Sequence, residues 1–483
     1  MTPDPFHAPV SAARREFLTR TATGLGAIAA ATLLDADALL GGEKVDDQAP
    51  PPSGVLAGTH FPAQAKRVIY LFQSGGPSHL DLFDPKPRLV KENGNDLPPS
   101  IKGEQRVTLM TRNQKRFPCF GSPYTFARYG ESGQWFSSAL PHMAKTADDW
   151  AFIKSLHSEP INHDPAMTFM QTGRQIPGQP AFGSWLHYGL GSECHDLPAY
   201  IVMTSGTPQQ PILSRYWHNG FLPARYQGVQ FQSTGDPVLF LSNPTGIDHG
   251  ARGRIIGSIN RLNRLKHRQV GDPEIEARVD AFQMAYKMQA SMPELVDFSS
   301  EPKHVLEMYG PGVDRQGTFA YQCLLARRLA ERGVRFVQLF HAGWDQHGDL
   351  KGGIDRQSSA ADQPTAALIA DLKQRGMLDD TLVIWGGEFG RTAYTQGSNG
   401  RDHHPRCFTM ALAGGGIQGG VTYGATDEYG YNVAENPVHV RDLHATLLHC
   451  LGIDHRRFTH KFQGLDAKLT GVVPARVVKE VLA

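Results

Sequence analysis

Short apolar runs alternate with amphipathic helical patterns along most of this chain. Each run has the length of a buried strand and ends at glycine or polar residues, and the segments between them repeat apolar positions with helical spacing. Strands are predicted at 67–72, 150–155, 199–203, 334–340, 381–385 and 408–412. Helices are predicted near 165–171, 251–291, 315–332, 359–375 and 440–451. This alternation is typical of an α/β fold with a mostly parallel sheet covered by helices on both faces.

Two long stretches lack this alternation. Residues 84–148 and 204–250 are dense in Pro, Gly and aromatic side chains, and we interpret them as insertions that form the rim of a site. Residues 39–66 combine Gly, Pro and charged side chains, which indicates a linker before the first strand. The length of 483 residues leaves the number of domains open, because large α/β enzymes often place long insertions on one sheet.

The N-terminal segment has the order of an export signal. An arginine pair precedes Phe-Leu, and no charged residue occurs from 21 to 34. That uncharged run is too short to cross a bilayer, which needs roughly 20 apolar residues, but it fits a twin-arginine signal peptide. We predict that residues 1–38 are removed on export and that the mature protein is periplasmic or extracellular. The signal residues are Arg14, Arg15, Phe17 and Leu18.

The overall composition gives no sign of a nucleic-acid binder. The chain has 48 Lys+Arg against 47 Asp+Glu, a formal net charge of +1. Its 5 cysteines show no paired spacing and no Cys-x-x-Cys motif, which argues against a disulfide framework and for buried structural thiols. No second apolar segment approaches membrane length, so no transmembrane segment is expected in the mature chain.

Carboxylate and imidazole side chains follow the predicted strands 334–340 and 381–385, and more of them occur in the predicted loop after the second of these strands. In sheets of this kind, ligands bind beyond the carboxyl ends of the strands. Neutral imidazole together with carboxylate suits a divalent metal, Zn first and Mn or Fe next, and no organic cofactor is predicted. Asp402 is predicted to be an outer partner that fixes a histidine tautomer. The predicted metal-binding residues are Asp345, His347, Glu388, His403 and His404.

Four long motifs occur in order along the chain. They are Gly-Gly-Pro-Ser-His-Leu-Asp from Gly75, Gly-Trp-Asp-Gln-His-Gly from Gly343, Trp-Gly-Gly-Glu-Phe-Gly-Arg-Thr from Trp385 and Gly-Arg-Asp-His-His-Pro from Gly400. In these motifs the chain resembles an exported, uncharacterised bacterial family, the sulfatase-like domain of unknown function 1501 of the alkaline phosphatase and sulfatase superfamily. The resemblance implies one domain at 67–475, a three-layer α/β/α sandwich, and a metal-dependent hydrolase of phosphate, phosphonate or sulfate esters.

The same resemblance puts an unusual residue at the nucleophile position. Sulfatases carry a Cys/Ser-x-Pro-x-Arg turn followed by a helix that ends in Thr-Gly-Arg, and this chain has Thr-Gly-Arg at 172–174. Counting back without gaps places His163 on the nucleophile, so formylglycine chemistry is excluded. Further departures, at Gln73-Ser74 and Phe389, fall on one of the two metal sites of the superfamily.

The expected roles of the remaining residues are also implied by the resemblance. His163 is a candidate general base or covalent nucleophile, and Arg391 is a candidate clamp for the substrate anion. Ser74 and Ser78, in the glycine turn after the first strand, are alternative nucleophiles. The candidate substrate-binding residues are Ser78, His79, Asp81 and Asn162.

The sequence leaves other functions open beside hydrolysis of a small-molecule or polysaccharide ester. One is a catalytically silent scaffold that binds a polysaccharide or an exported protein partner. Another is an extracytoplasmic assembly factor that docks beside redox or polysaccharide-degrading enzymes. A deep polar pocket at the strand ends favours the enzyme, whereas a flat exposed apolar patch favours the docking protein.

Overall fold

The computed structural model describes residues 53–238, 243 and 246–483. The predicted signal peptide, with Arg14, Arg15, Phe17 and Leu18, lies outside the described residues. Among the described helices, none has the length and apolarity that a membrane crossing requires. All five cysteines are buried and free, as expected from their spacing.

Strands and helices alternate along the central part of the chain. The strands are β1 Arg67–Ser74, β2 Phe126–Tyr129, β3 Gln134–Ser137, β4 Trp150–His157, β5 Tyr200–Gly206, β6 Val229–Gln230, β7 Phe336–Ala342, β8 Thr381–Gly386, β9 Gly390–Gln396, β10 Gly400–His404, β11 Phe408–Ala413, β12 Thr422–Tyr423, β13 Ala425–Thr426, β14 Val433–Glu435, β15 Val438–His439, β16 His460–Phe462 and β17 Leu465–Ala467. The α-helices are α1 His79–Leu82, α2 Pro87–Lys91, α3 Pro99–Lys102, α4 His163–Thr172, α5 Phe182–Leu190, α6 His249–Val270, α7 Pro273–Val296, α8 Lys303–Tyr309, α9 Phe319–Glu331, α10 Leu350–Gln374 and α11 Val440–Cys450. The six predicted strands are confirmed as β1, β4, β5, β7, β8 and β11.

One large sheet organises the fold. Its strand order is β12-β4-β11-β8-β1-β7-β5-β6, and β15 also pairs with β4. β1 runs parallel to both β7 and β8, and β5 runs parallel to β7. β11 is antiparallel to its neighbours β8 and β4. The predicted mostly parallel sheet is confirmed, and the carboxyl ends of β1, β7 and β8 lie side by side.

Helices cover both faces of this sheet, because successive side chains of a strand point to opposite faces. On β1, Val68 and Phe72 belong to one buried cluster with Met167 of α4, Trp185 of α5 and Leu447 of α11. α9 lies against β5 and β7 without joining that cluster, so it covers the opposite face, with α10 packed beside it. The domain is therefore a three-layer α/β/α sandwich.

The helical pattern near 251–291 comprises two helices. α6 ends at Val270 and α7 begins at Pro273, with Gly271 between them in the left-handed region at φ 71°. Glycine adopts this conformation without steric cost, and the proline that follows has no amide hydrogen to extend the first helix. The periodic pattern continues across this break, which is why it suggests a single segment.

The loop predicted to carry His403 and His404 is a β-hairpin. β9 and β10 pair antiparallel, with His403 opposite Arg391 and His404 opposite Gly390. β10 is buried along its whole length although its sequence, Gly-Arg-Asp-His-His, has no apolar residue. The apolar run by which a buried strand is recognised is absent here, so the prediction of a loop is wrong.

The chain divides into two compact units. The larger unit comprises residues 51–239 and 292–483 and contains the sandwich. The other comprises residues 1–50 and 240–291, of which the structure describes 243 and 246–291, that is, α6 and most of α7. The single domain at 67–475 stays a prediction.

Candidate metal centre

The carboxyl ends of β1, β7 and β8 bring three loops together. β1 lies between the other two strands, with Ser74 level with Ala342 of β7 and Phe72 level with Gly386 of β8. Asp345 follows the end of β7 and Glu388 follows the end of β8. Because the three strands are parallel, these two carboxylates reach the turn that leaves β1 from its two sides.

The turn after β1 requires glycine because another backbone segment approaches it closely. Gly75 has φ 119°, and a Cβ there would lie 2.6 Å from the amide nitrogen of Asp345 and 2.7 Å from the carbonyl carbon of Trp344. The Gly75 amide also donates to both carboxylate oxygens of Glu388, at 3.0 and 3.2 Å. This single residue therefore holds the Asp345 loop by contact and the Glu388 side chain by hydrogen bonds.

Four side chains converge beside this turn. His163 is the first residue of α4, Asp345 and His347 lie on the loop after β7, and His403 lies on β10. One potential ligand atom from each lies within 4.8 Å of the corresponding atoms of the other three. We call these four residues the HDHH cluster. The structure thus brings together three of the five predicted metal-binding residues and adds His163, which was expected to be a base or nucleophile.

His163 presents its two ring nitrogens to different groups. Its Nδ1 lies 2.6 Å from Oε1 of Glu388, which is fully buried. Its Nε2 points into the cluster, 3.2 Å from Oδ2 of Asp345, but is not aligned for a hydrogen bond. A buried nitrogen without a hydrogen bond is costly unless another partner, such as a metal ion, takes its lone pair.

The other two histidines of the HDHH cluster repeat this arrangement. The Nδ1 of His403 lies 2.8 Å from the carbonyl oxygen of Ile161, and the Nδ1 of His347 contacts the side-chain oxygen of Gln396. Carbonyl oxygens only accept, so in both rings Nδ1 carries the hydrogen. Each Nε2 faces Oδ1 of Asp345, at 3.3 Å from His403 and 2.9 Å from His347. All three Nε2 atoms therefore point at one carboxylate.

Burial and the close approach of charged side chains set the pKa values of the centre. Burial alone raises the pKa of the Asp345 carboxyl, but the Arg391 guanidinium and the neighbouring histidines lower it well below its usual range. Burial lowers the pKa of His403 to about 4, which leaves that ring neutral at pH 7. For His163 the effect of burial is outweighed by the carboxylates of Asp345 and Glu388, which raise its pKa.

Arg391 contacts Asp345 and the backbone around the centre, and its expected role as an anion clamp stays a prediction. Its guanidinium is fully buried, and one nitrogen donates to Oδ1 of Asp345 at 2.6 Å. The remaining hydrogen bonds go to backbone carbonyls, those of Gly75, Gly76, Trp344 and Arg401. Arg391 thus balances the charge of Asp345 and ties the loops of the centre together.

Ser74 and Asn162 lie beside the centre but differ in accessibility. The Oγ of Ser74 is buried and makes long contacts of 3.4 Å, to Sδ of Met167 and from Nε2 of Gln210. It has no imidazole or carboxylate base among these contacts, so the structure does not support its expected role as a nucleophile. Asn162 precedes α4 with an exposed side chain, which leaves it available to a substrate.

Three residues expected to bind substrate lie in buried contacts instead. Ser78 donates to Asp81, and Asp81 forms an ion pair with Arg401 at 2.8 Å, both side chains being fully buried. His79 contacts the carbonyl of Gly430 at 3.2 Å and is also buried. The motif after β1 therefore anchors the β9–β10 hairpin, and the substrate-binding role of these three residues stays a prediction.

His404 and Asp402 are likewise turned away from the HDHH cluster. The Nε2 of His404 lies 2.6 Å from the carbonyl of Tyr431, and its ring stacks on that tyrosine. Alternate residues of a strand point to opposite sides, so only one of the paired histidines can face the cluster. Asp402 accepts from the backbone amide of His403 and from the hydroxyls of Thr108 and Thr111, so it fixes the strand and not a histidine tautomer.

Residues that orient the centre were not predicted from the sequence. Gln209 accepts from the Asp345 amide at 2.9 Å and donates to the Asp345 carbonyl at 3.0 Å. Ile161 accepts from His403 and Gln396 accepts from His347, as described above. A backbone carbonyl and single glutamines carry no sequence motif. The only indication was that Gln209 falls in a segment predicted to form the rim.

A family model matches most of the chain. The family, described as a protein of unknown function, DUF1501, matches residues 65–482. No curated protein matches the chain.

Solved structures with a similar fold are distant in sequence. One is a protein of the alkaline phosphatase superfamily from Vibrio parahaemolyticus, with 10% identity and a TM-score of 0.35, the match covering 90% of this chain and 73% of that one. Another is the PsFucS1 sulfatase from Pseudoalteromonas sp., with 12% identity, a TM-score of 0.34, and coverage of 89% and 71%. A third is Ps i-CgsB in complex with k-i-k-neocarrahexaose, with 11% identity, a TM-score of 0.35, and coverage of 80% and 72%. Identities this low say nothing about whether this chain catalyses a reaction.

Proposed function

Since the chain belongs to the DUF1501 family, whose function is unknown, we propose that it is a metal-dependent hydrolase of phosphate, phosphonate or sulfate esters. The observation that carries this proposal is the HDHH cluster, in which three imidazole Nε2 atoms and one carboxylate converge at the strand ends. Catalytic centres of α/β folds lie at this position.

The donor set of the cluster fits one divalent metal ion. When Nδ1 of an imidazole donates its hydrogen to an acceptor, the Nε2 that faces the cluster carries no hydrogen and can bind a metal ion. This pattern is typical of metal-binding histidines. The unpaired Nε2 of His163 is the atom that most needs such a partner. Three nitrogens and one carboxylate oxygen suit Zn, and they also suit Mn or Fe. We propose Asp345, His163, His347 and His403 as the ligands.

A bound metal would polarise an ester oxygen and lower the pKa of a water molecule to the neutral range. The chain's own residues hold the ligands in place. Glu388 accepts from His163 and from the Gly75 amide, so it acts as a positioning residue and not as a direct ligand. Arg391 keeps Asp345 ionised through the contact at 2.6 Å. With a metal bound at Nε2, both ring nitrogens of His163 would be engaged, which argues against the covalent role expected from its sequence position.

We further propose that the protein acts outside the cytoplasm, on an ester of a small molecule or a polysaccharide. The export proposal is supported by the arginine pair and uncharged run within residues 1–38. Access to the centre is supported by the partial exposure of His347, the least buried member of the cluster, and by the exposed Asn162, which directly precedes His163.

One observation favours the alternative of a scaffold without hydrolytic activity. The nucleophile position is filled by His163, and the buried Ser74 hydroxyl has no base beside it. In that case the HDHH cluster would hold a structural metal, and the protein would bind a polysaccharide or an exported protein without turnover.

Adjacent histidines allow a matched test of the hydrolase. Purified wild-type protein, loaded with Zn, Mn or Fe, would be assayed on aryl phosphate, phosphonate and sulfate esters beside His403→Gln and His404→Gln. The same substitution is made at neighbouring buried positions, but only His403 faces the cluster. We expect hydrolysis of at least one ester class by wild type and His404→Gln, and its loss in His403→Gln.

Two outcomes contradict this proposal. If folded, metal-loaded wild-type protein hydrolyses none of the three ester classes, the scaffold becomes the better account. If His403→Gln retains full activity while circular dichroism shows both variants folded, the reaction does not depend on the cluster.

A further inference from the structure

Helix α6 concentrates positive charge in a chain that is nearly neutral overall. The whole chain has a formal charge of +1, yet residues 249–270 contain no Asp or Glu. Such an uneven distribution is typical of a surface that meets an anionic partner. The cations of this helix are Arg252, Arg254, Arg261, Arg264, Lys266 and Arg268.

The exposed face of α6 combines these cations with apolar side chains. The buried side of the helix is formed by Gly253, Ile256, Gly257 and Asn260. Positions on the opposite side are exposed, including Leu262 at 56% and Leu265 at 43%. We call the following set the basic face: Arg254, Arg261, Leu262, Leu265, Lys266 and Arg268. Leucines on the solvent side are not needed to fold this helix, because its opposite side already provides the packing.

The neighbouring helix α7 packs directly against α6. Tyr286 stacks on His249 at 4.3 Å, and a Cβ on Gly253 would lie 2.8 Å from its hydroxyl, so the two helices are in close contact. His267, on the flank of α6, lies 3.3 Å from Glu276. The acidic groups of the pair belong to the connecting turn and to α7: Asp272, Glu274, Glu276, Asp280 and Glu294. They accompany Arg278, Lys287 and the exposed Phe282 of α7.

We propose that the basic face of α6 binds the surface of an anionic phospholipid bilayer. Arginine and lysine side chains attract the phosphate groups of the lipid heads, and the two leucines enter the boundary between head groups and acyl chains. The leucines favour a bilayer over a soluble polyanion, because a sulfated polysaccharide or a nucleic acid offers them no apolar partner. The binding is peripheral, and it does not depend on the metal centre.

Vesicle flotation with the full chain tests this inference. Wild-type protein would be mixed with vesicles of phosphatidylcholine alone or of phosphatidylcholine with phosphatidylglycerol. We expect binding to the anionic vesicles, weakened by salt. The triple variant Arg254→Gln, Lys266→Gln, Arg268→Gln should weaken binding by roughly two orders of magnitude, and Leu262→Ser with Leu265→Ser should also weaken it. Glutamine has a helix propensity close to that of Arg and Lys, so α6 is retained.

A matched control keeps the total charge change equal. Lys303→Gln, Arg456→Gln and Lys461→Gln remove three exposed cations of the larger unit, and this variant should bind as wild type does. Because every protein carries the same residues 1–52, differences between variants report on α6 alone. Equal binding by the triple variant and this control would overturn the proposal. So would a wild-type protein that binds a soluble sulfated polysaccharide through the cations but leaves anionic vesicles unbound.

Discussion

At the residue scale, each histidine of the centre places its two ring nitrogens against different groups. In His163 one nitrogen meets Glu388 and the other points at the cluster, and His347 and His403 follow the same rule. The acceptor fixes the tautomer and the ring orientation before a metal arrives. Glu388, predicted to be a ligand, thus contributes through His163.

Replacing Glu388 tests this positioning role. Glu388→Ala removes the acceptor for Nδ1 of His163, so we expect metal affinity to fall by about 10- to 100-fold. Glu388→Gln retains an oxygen that can accept the same hydrogen and should restore most of the affinity. The measurement is a metal titration against a competing chelator. Equal affinities in wild type and Glu388→Ala would rule out the role.

Gly75 offers a second test at the same scale. Gly75→Ala puts a Cβ against the backbone of Asp345 and strains a residue at φ 119°. We expect destabilisation well above about 1 kcal/mol and weaker metal binding. Gly94→Ala is the control, because Gly94 also has positive φ, at 84°, but open space around it. If thermal unfolding shows equal losses of stability in the two variants, the close backbone approach at Gly75 is not the cause of the destabilisation.

At the scale of elements, the β9–β10 hairpin carries His403 and is anchored by a buried ion pair. Arg401 lies 2.8 Å from Asp81 and donates to the carbonyls of Phe120 and Thr392. Within the hairpin, β10 has no apolar residue, so these polar contacts add to the apolar packing that Ala393 and Tyr394 of β9 provide.

Breaking one side of this pair should cost more than removing both sides. Arg401→Met leaves the Asp81 carboxylate buried without its cation, with an expected loss of about 3–5 kcal/mol of unfolding free energy. The double variant Asp81→Leu, Arg401→Met removes both charges and should be more stable than the single variant. Urea denaturation measures the two. A double variant less stable than Arg401→Met would contradict this account.

A buried histidine joins α11 to α4 and makes stability depend on pH. Burial lowers the pKa of His444 to about 4, although its Nε2 donates to the carbonyl of Met170 at 2.8 Å. The unfolded chain therefore binds more protons than the folded chain between about pH 4 and 6.5. The stability conferred by the neutral ring is complete above that range and is lost as the pH falls through it.

The unfolding free energy should depend on pH, and one substitution should reduce that dependence. Wild-type protein should lose unfolding free energy on acidification below pH about 6.5, and His444→Gln should flatten this dependence by up to about 1.4 kcal/mol per pH unit. Denaturant midpoints at a series of pH values provide the measurement. Parallel curves for the two proteins would show that His444 does not titrate in this range.

At the scale of the whole molecule, the central sheet was predictable because its strands are buried on both faces. Such strands are continuous apolar runs, and β1, β7 and β8 appear in the sequence at nearly their observed bounds. Asp345, His347 and His403 follow from the rule that ligands lie beyond strand ends. His163 was singled out as a site residue only through the resemblance to sulfatases.

The rest depends on contacts that no local pattern encodes. His403 and His404 are adjacent and chemically identical, and only the pairing of β10 with β9 decides which one faces the cluster. The partners of the motif after β1, such as Arg401 for Asp81, are far away in sequence. The near-zero total charge conceals the basic face of α6, since a sum over the chain carries no information about position.

The most direct test is the metal content of the purified protein. Wild type, His347→Ala and His404→Gln would be prepared without chelator or an affinity-tag histidine run, and analysed by elemental mass spectrometry. The account predicts about one Zn, Mn or Fe per chain in wild type and in His404→Gln, and loss of that metal in His347→Ala. A folded wild-type protein that contains no metal, and takes up none when these ions are supplied, would contradict it.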